Sequence, residues 1–292
     1  MRWSTRQRIE FLETRLYWDG KISRKDLTGY FDISIPQSTK DIKAYIEKAP
    51  DNIRYDSKAK QYVAGEEFKP VFISPDSESY LKRLLTSDAD QEDFFCGSMP
   101  SFYNAPCIQR KIDPKILKYI LKNINEGNAV NIEYQSMSGS GPGWRWITPH
   151  AIGFDGFRWH TRAFCHKSRV FKDYNLGRIY NTGETEPHPI DTSSDFQWFT
   201  DITFIIEPHP GLTGEQKKGI ERDYGMSNGT LEFEVRGAFV FYMLKRLNLE
   251  DGHEENNPIK QQIILINRDQ IENQRQMLEK MSANKIEETK PR

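Results

Sequence analysis

The run Arg158-Trp159-His160-Thr161-Arg162-Ala163-Phe164-Cys165 alternates cationic residues with apolar or small ones. In an extended strand Arg158, His160 and Arg162 share one face, while Trp159, Thr161, Ala163 and Cys165 share the other. Two guanidiniums and an imidazole in a row are costly to pack inward without anions. The row suits a face that meets phosphate or a nucleic-acid backbone, because a guanidinium fork grips two oxygens at once. Upstream, Tyr134 and Ser136 fall on one strand face with Ile132 and offer a ring for stacking and a hydroxyl. Arg145 and His150 flank the next strand, and Arg169, Lys172 and Arg178 follow.

Catalytic alternatives are thinner. The histidines, His150, His160, His166, His188, His209 and His253, fit neither an HExxH spacing nor a metal triad. No P-loop or GxGxxG is present, and the stretch 139–143 is too irregular to cradle phosphate. Cys165 and His166 are adjacent, so on a strand they point to opposite faces and cannot form a nucleophile pair. Glu133 and Asp173 pair only by assumption. No catalytic residue, metal site or cofactor is assigned, and a nucleotide-cleaving barrel is the enzyme alternative.

A second constellation lies near the N-terminus. Ser34 stands where a helix cap would be, and Pro36 suits the first turn. The helix that follows, about 36–48, turns Ile42, Tyr45 and Ile46 inward. That leaves Gln37, Ser38, Lys40 and, more obliquely, Lys43 facing out. Glutamine pairs with adenine, and lysine with guanine or phosphate, in the major groove of double-stranded DNA. A hairpin, Ile53-Arg54-Tyr55 to Gln61-Tyr62-Val63, places Arg54, Lys58 and Lys60 beside backbone phosphates. Arg6, Arg8, Arg24 and Lys25 on two preceding helices are further phosphate contacts.

Those residues need elements to hold them. A helix over 4–18, capped by Ser4 and ended by Gly20, carries Ile9, Leu12 and Leu16 on one stripe. A shorter helix capped by Ser23 follows. With the third helix and the hairpin, residues 1–66 spell a winged helix-turn-helix. Residues 67–127 form a helical linker, with helices near 76–86 and 113–125 and an irregular stretch at 94–110. From Val130 the period falls to two, with strands at 130–135, 144–149, 151–154, 157–165 and 169–175. Within 128–182 these predict a small antiparallel β-barrel. Residues 183–292 read strand, helix, strand, helix, strand, an α/β extension with a disordered tail from Ala283. The fold class is α+β.

Composition fits this division. Of 292 residues, 37% are hydrophobic and 28% charged, enough apolar material for several small cores. No apolar run approaches a membrane span. Cys96, Cys107 and Cys165 are few and scattered, which points to the reducing cytoplasm. The net charge of −1 hides a gradient. Residues 1–65 hold 13 basic and 9 acidic side chains and residues 130–182 hold 7 and 3, a net of +4 in each, while residues 183–292 hold 13 and 20. Two basic modules are two places to meet anions.

Longer stretches carry a resemblance. Residues Ile132 to Ser138, Arg145-Trp146-Ile147-Thr148-Pro149-His150, Asp155 to Cys165 and Leu176-Gly177-Arg178-Ile179 resemble the WYL domain. Pro208 to Leu212, Asp223 to Met226 and Phe241 to Leu247 resemble the C-terminal extension of one branch of that family, repressors encoded beside phage-defence operons. The naming Trp-Tyr-Leu triplet is here Trp159-His160-Thr161. The resemblance implies an Sm-like barrel behind a helix-turn-helix and a nucleic-acid or nucleotide effector. It implies that Tyr134, Ser136, His150, His160, Arg162 and Arg178 line or border that site.

The combined expectation is a sequence-specific transcriptional repressor. It would bind an inverted-repeat operator as a homodimer, its winged helices about 34 Å or a multiple apart. On this reading, loss of Arg162 would abolish the effector response and leave operator binding near normal. The rival is an architectural nucleic-acid binder without sensing.

Overall fold

A computed structural model describes residues 3–86, 99–105, 108, 110–139, 141–187, 190–250 and 257–288. The chain divides into two units, Met1–Cys107 and Ile108–Arg292. Cys96, Cys107, His188, His253, much of the irregular stretch 94–110 and the end of the tail lie outside the described residues.

In the first unit, α1 (Trp3–Asp19) stops at Gly20, whose φ of +70° would strain any residue with a side chain. A two-residue strand, β1 (Lys21–Ile22), precedes α2 (Arg24–Phe31), which starts on a capping box between Ser23 and Asp26. Next, α3 (Ile35–Lys48) is capped by Ser34 and begins with Pro36 in its first turn. The hairpin of β2 (Ile53–Asp56) and β3 (Gln61–Ala64) then pairs with β1 to give a sheet of order β1-β3-β2. The first strand is not legible in the sequence because two residues carry no readable periodicity. The unit ends in α4 (Ser77–Thr86). Its core is Ile9, Phe11, Leu12, Leu16, Leu27, Ile42 and Tyr45, all almost fully buried.

A carboxylate sits inside that core. Glu13 is fully buried. Its Oε1 accepts from the Tyr45 hydroxyl at 3.0 Å and the Val71 amide at 2.9 Å, and its Oε2 from the amides of Phe72 at 2.6 Å and Ile73 at 2.8 Å. Asn52 secures the same segment, donating to the Lys69 carbonyl at 2.6 Å and accepting from the Lys69 amide at 2.9 Å. The chain leaving the wing has no ladder of its own there, so α1 supplies its acceptors.

In the second unit, α5 (Pro114–Glu126) begins on an Asp113 cap. A five-stranded antiparallel sheet follows: β4 (Asn128–Gln135), β5 (Pro142–Phe154), β6 (Trp159–Cys165), β7 (Val170–Asn175) and β8 (Ile179–Pro187), in order β7-β6-β5-β4-β8. The expected closed barrel is corrected to an open sheet, because no ladder joins β7 to β8 among the described residues. Ile116 and Ile120 of α5 instead pack on one sheet face, against Val130, Ile132, Ile147 and Ala163. The strands expected at 144–149 and 151–154 are one strand, β5, with a register shift between Pro149 and Ala151.

After α6 (Phe196–Phe199), the second unit continues with β9 (Asp201–Pro208), α7 (Gly214–Tyr224), β10 (Leu231–Arg236), α8 (Val240–Arg246) and β11 (Ile263–Leu265). The sheet order is β10-β9-β11, antiparallel throughout. The extension is therefore α+β rather than the α/β module that alternation suggested. It ends in α9 (Arg268–Glu288), a helix absent from the sequence reading. Mostly polar, α9 buries Ile271, Leu278, Ser282 and Ile286, a stripe too sparse to read in sequence. Residues 283–288, expected to be disordered, belong to it.

Replacing Glu13 with Gln puts donors where the amides of residues 71–73 need acceptors. The variant should lose about 2–3 kcal/mol, the cost of unsatisfied buried groups. Urea unfolding of the full chain measures this, and a loss under about 0.5 kcal/mol would show that Glu13 does not secure the segment.

Candidate functional site

The DNA-facing candidates occupy α3 and the wing. Along α3, Lys40 and Lys43 are exposed, as are Ile35 and Pro36 at its start. Ser38 corrects the sequence reading: it is fully buried, and its hydroxyl donates to the Ile35 carbonyl at 2.9 Å. Gln37 is half-buried and donates to Asp41 Oδ1 at 2.9 Å. Asp41 is itself buried and gripped by Arg8 through Nε at 2.6 Å and Nη2 at 3.2 Å. Arg8 therefore ties α1 to α3 and is not a free phosphate contact. Arg6, another expected contact, pairs with Glu10 in the exposed i, i+4 geometry.

In the wing, Arg54, Lys58 and Lys60 are all exposed. The turn between the strands is held by Asp56, which accepts from the amides of Lys58 at 2.8 Å and Ala59 at 3.0 Å. Those amides hold its carboxyl below the usual range. Tyr55 and Tyr62 contact each other across the strands, with ring centroids 5.0 Å apart. Lys40, Lys43, Arg54, Lys58 and Lys60 have no carboxylate within ion-pair distance among the described residues.

The expected sensor residues divide between the two faces of the five-stranded sheet. Tyr134 is buried on the face that α5 covers. Its hydroxyl accepts from the Asn175 amide at 3.3 Å, and Arg145 lies 5.3 Å from its ring centroid. The ring is thus occupied from within and not open for stacking. Ser136 contacts Ser138 at 3.0 Å, and Arg178 is half-buried in a 3-10 turn.

His160 and Arg162 lie on the opposite face and are likewise buried. The expectation that this row is open to phosphate is corrected by its partners. Arg162 donates from Nε to Asp195 Oδ2 at 2.7 Å, from Nη2 to Asp195 Oδ1 at 2.9 Å and to Gln197 Oε1 at 3.0 Å, and from Nη1 to Asp173 Oδ1 at 3.2 Å. His150 Nε2 reaches the same Asp195 carboxylate at 2.9 Å. His160 Nε2 meets Asp155 Oδ2 at 2.9 Å, and its ring lies 4.9 Å from that of Tyr242. The anions that the row needed come from the chain itself. Only Arg158, outside the strand in the turn before β6, stays half-exposed.

Burial alone would raise the Asp195 carboxyl, but the Arg162 fork and His150 hold it below the usual carboxylate range. Burial pushes Asp173 the other way, upward, despite the pull of Arg162. Sequence reasoning missed Asp155, Asp173, Asp195 and Tyr242 as partners. Asp195 lies 33 residues from Arg162, and no local pattern links them.

The two alternatives for catalysis also have structural answers. Cys165 is buried, and His166 turns to Thr148 Oγ1 at 2.9 Å. Glu133 accepts from Asn181, and Asp173 from Arg162, so the two carboxylates serve separate partners.

A basic helix and wing ahead of a WYL-like sheet and an antiparallel extension define a regulator rather than an enzyme. Three family models match in order: the BrxR transcriptional regulator winged helix-turn-helix domain over residues 4–86, the WYL domain over 115–182, and the BrxR transcriptional regulator C-terminal dimerization domain over 201–271. Full-length relatives agree. The DNA-binding transcriptional repressor CapW of Escherichia coli (strain KTE188) is 38% identical over 274 residues, covering 92% of this chain and 91% of that protein. CapW of Pseudomonas aeruginosa is 38% identical over 273 residues, with 92% and 91% covered. CapW of Stenotrophomonas maltophilia is 36% identical over 275 residues, with 93% and 92% covered. The chain belongs to this BrxR/CapW family of WYL-domain transcriptional regulators.

Removing Arg162 leaves the buried Asp195 carboxylate without its main counter-ion. Arg162→Ala should therefore destabilise the second unit by about 3–5 kcal/mol, far from the silent sensor variant expected from sequence. Calorimetric melting of wild type and variant checks it, and equal melting temperatures would refute the pairing. The lowered carboxyl of Asp195 also fixes the sign of the acid response. Its stabilisation is present above the ordinary carboxylate pKa of about 3.9 and fades as pH falls through the lower folded value. The wild type should lose stability steeply below about pH 4, and Asp195→Asn should flatten that slope.

Proposed function

We propose that this chain represses transcription by laying the start of α3 in the major groove of a duplex operator. In the same reading, Arg54, Lys58 and Lys60 of the wing grip backbone phosphates. The supporting observation is the set of exposed cations on α3 and the wing, Lys40 and Lys43 foremost, without carboxylate partners among the described residues. Near the start of α3 and in the wing the acidic side chains are spent, Asp41 on Arg8 and Asp56 on its turn, while Glu47 is exposed at the far end of α3. The names of the CapW relatives and the family's dimerization domain support a homodimer on an inverted repeat. The resemblance to repressors beside phage-defence operons supports such an operon as target. A nucleic-acid or nucleotide effector at the WYL module would release the operator, through its unequal affinity for two states of the dimer.

The apolar run Phe239 to Leu244 supports dimerisation less than sequence suggested. Val240 is buried, and Phe239, Met243 and Leu244 pack into this chain's own core, leaving Phe241 half-exposed.

The test is a mobility-shift titration on the promoter upstream of the chain's own gene. Lys40→Ala with Lys43→Ala should cost about 1–3 kcal/mol for each hydrogen-bonded base edge given up and relax sequence preference. Lys58→Ala with Lys60→Ala should weaken all duplexes alike and flatten the salt dependence. If the α3 double variant shifts the promoter as wild type does, the helix is not the reading element. Equal affinity for promoter and random duplex would favour the architectural alternative.

Light scattering of the full chain at micromolar concentration should give the mass of two chains. A monomer, with and without operator, would overturn the dimer.

A further inference from the structure

The turn between β5 and β6 packs on the last turn of α8 and leaves a recess of about 100 Å³. Four cations from three segments line it: Arg110 before α5, Arg158 in the turn, and Lys245 and Arg246 at the end of α8. None has a carboxylate within ion-pair distance among the described residues. One acid, Asp155, lines the same recess, and it is already committed. Its Oδ1 accepts from the amides of Phe157 and Arg158, both at 2.7 Å, and its Oδ2 meets His160 at 2.9 Å. The Nε of Arg158 is buried with no hydrogen-bond partner among the described residues.

The local backbone is shaped to this arrangement. Gly156 sits at φ +95°, and a Cβ there would lie 3.3 Å from Arg246 Nη1. The guanidinium thus rests directly on the glycine. Phe157 beside it is 62% exposed, an open ring at the rim. A helix C-terminus accounts for a cation or two in its last turn. It does not account for Arg110 and Arg158, which converge on the same recess from other segments. Four like charges around one spent carboxylate repel one another, and a bound anion relieves that repulsion.

We propose that this recess, and not the Arg162 row, is an anion site that takes the terminal phosphate of a nucleotide or of a short single strand. Arg158, Lys245 and Arg246 hold the phosphate, and the first base stacks on Phe157. The recess is too small for a nucleoside, so the base lies outside it. Guanidinium forks suit the dianionic phosphate, and an exposed ring accepts any base. The site rests on the effector reading above for its biological meaning, though not for its chemistry.

The experiment is calorimetric titration of the full chain with four probes: inorganic phosphate, adenosine monophosphate, and thymidine dinucleotide with either a 5′-phosphate or a 5′-hydroxyl. The 5′-phosphorylated dinucleotide should bind at least tenfold more tightly than its 5′-hydroxyl counterpart. Lys245→Gln with Arg246→Gln should erase that difference, and Phe157→Ala should weaken both dinucleotides while sparing inorganic phosphate. The exchanged lysine and arginine are exposed, so the melting temperature of the variant should match wild type. Comparable binding of adenosine monophosphate identifies a free nucleotide as sufficient, and much weaker binding identifies a strand end. Equal affinity with and without the 5′-phosphate, or undiminished binding by the Lys245/Arg246 variant, would overturn the site. Binding that leaves a labelled operator complex intact would uphold the site and refute the effector reading.

Discussion

The second unit depends on one ion pair. Arg162 projects from the middle of β6, and Asp195 immediately precedes α6, 33 residues later. Both side chains are almost wholly removed from water, at 4% and 1% exposure. A buried guanidinium is tolerable only if its donors are met, and here four hydrogen bonds go to Asp195, Asp173 and Gln197. Asp195 is satisfied in turn by His150. The pair therefore fixes where the chain leaving the five-stranded sheet begins its extension. It also sets which face of that sheet the extension covers, with Phe164, Phe171 and Ile286 closing around the same side. Such pairs contribute modest net stability, but they penalise any arrangement that separates the partners.

The first unit uses the same device in a different role. Glu13 is a carboxylate in a core of aliphatic and aromatic side chains, and its partners are one hydroxyl and three backbone amides. The helix that carries it thereby captures the segment leaving the wing. Arg8 and Asp41 add a second polar tie, between α1 and α3. Polar groups thus set the placement of α3, while Ile9, Leu12, Ile42 and Tyr45 supply the apolar burial that stabilises it. The exposed lysines of α3 lie on a helix fixed on two sides. That preorganisation limits the ordering cost of binding a rigid partner.

Neutralisation of the Arg162 row changes how sensing can be organised. A ligand competing for Arg162 would have to displace two aspartates and leave them buried. The open cations lie instead at one end of the inner strands of the same sheet, around the β5–β6 turn that Asp155 anchors. Asp155 also holds His160, and His160 packs on Tyr242 of α8. Events at the turn therefore have a short route of direct contacts into α8, whose Val240 belongs to the core of the extension.

Sequence alone determined what is local. The caps at Ser23 and Ser34, the stop at Gly20 and the inward stripe of α3 depend on residues within one or two turns of one another, and the structure carries all of them. The outward lysines of α3 and the basic wing were legible for the same reason. Period-two alternation located most of the strands, and family resemblance supplied the order of the modules. Tertiary structure decided everything that depended on distant partners. The alternation of Arg158, His160 and Arg162 correctly placed His160 and Arg162 on one face, but it could not show that Asp173 and Asp195 would meet that face. Asp173 reaches Arg162 through the hairpin register of β6 against β7, and Asp195 through the position of α6, 33 residues on. Ser38 faced inward because its hydroxyl can satisfy itself on the Ile35 carbonyl, an option that a polar label hides. The sheet stayed open, and the extension paired antiparallel, because strand partners are chosen by packing against α5 and α9, while periodicity within a strand names only its faces.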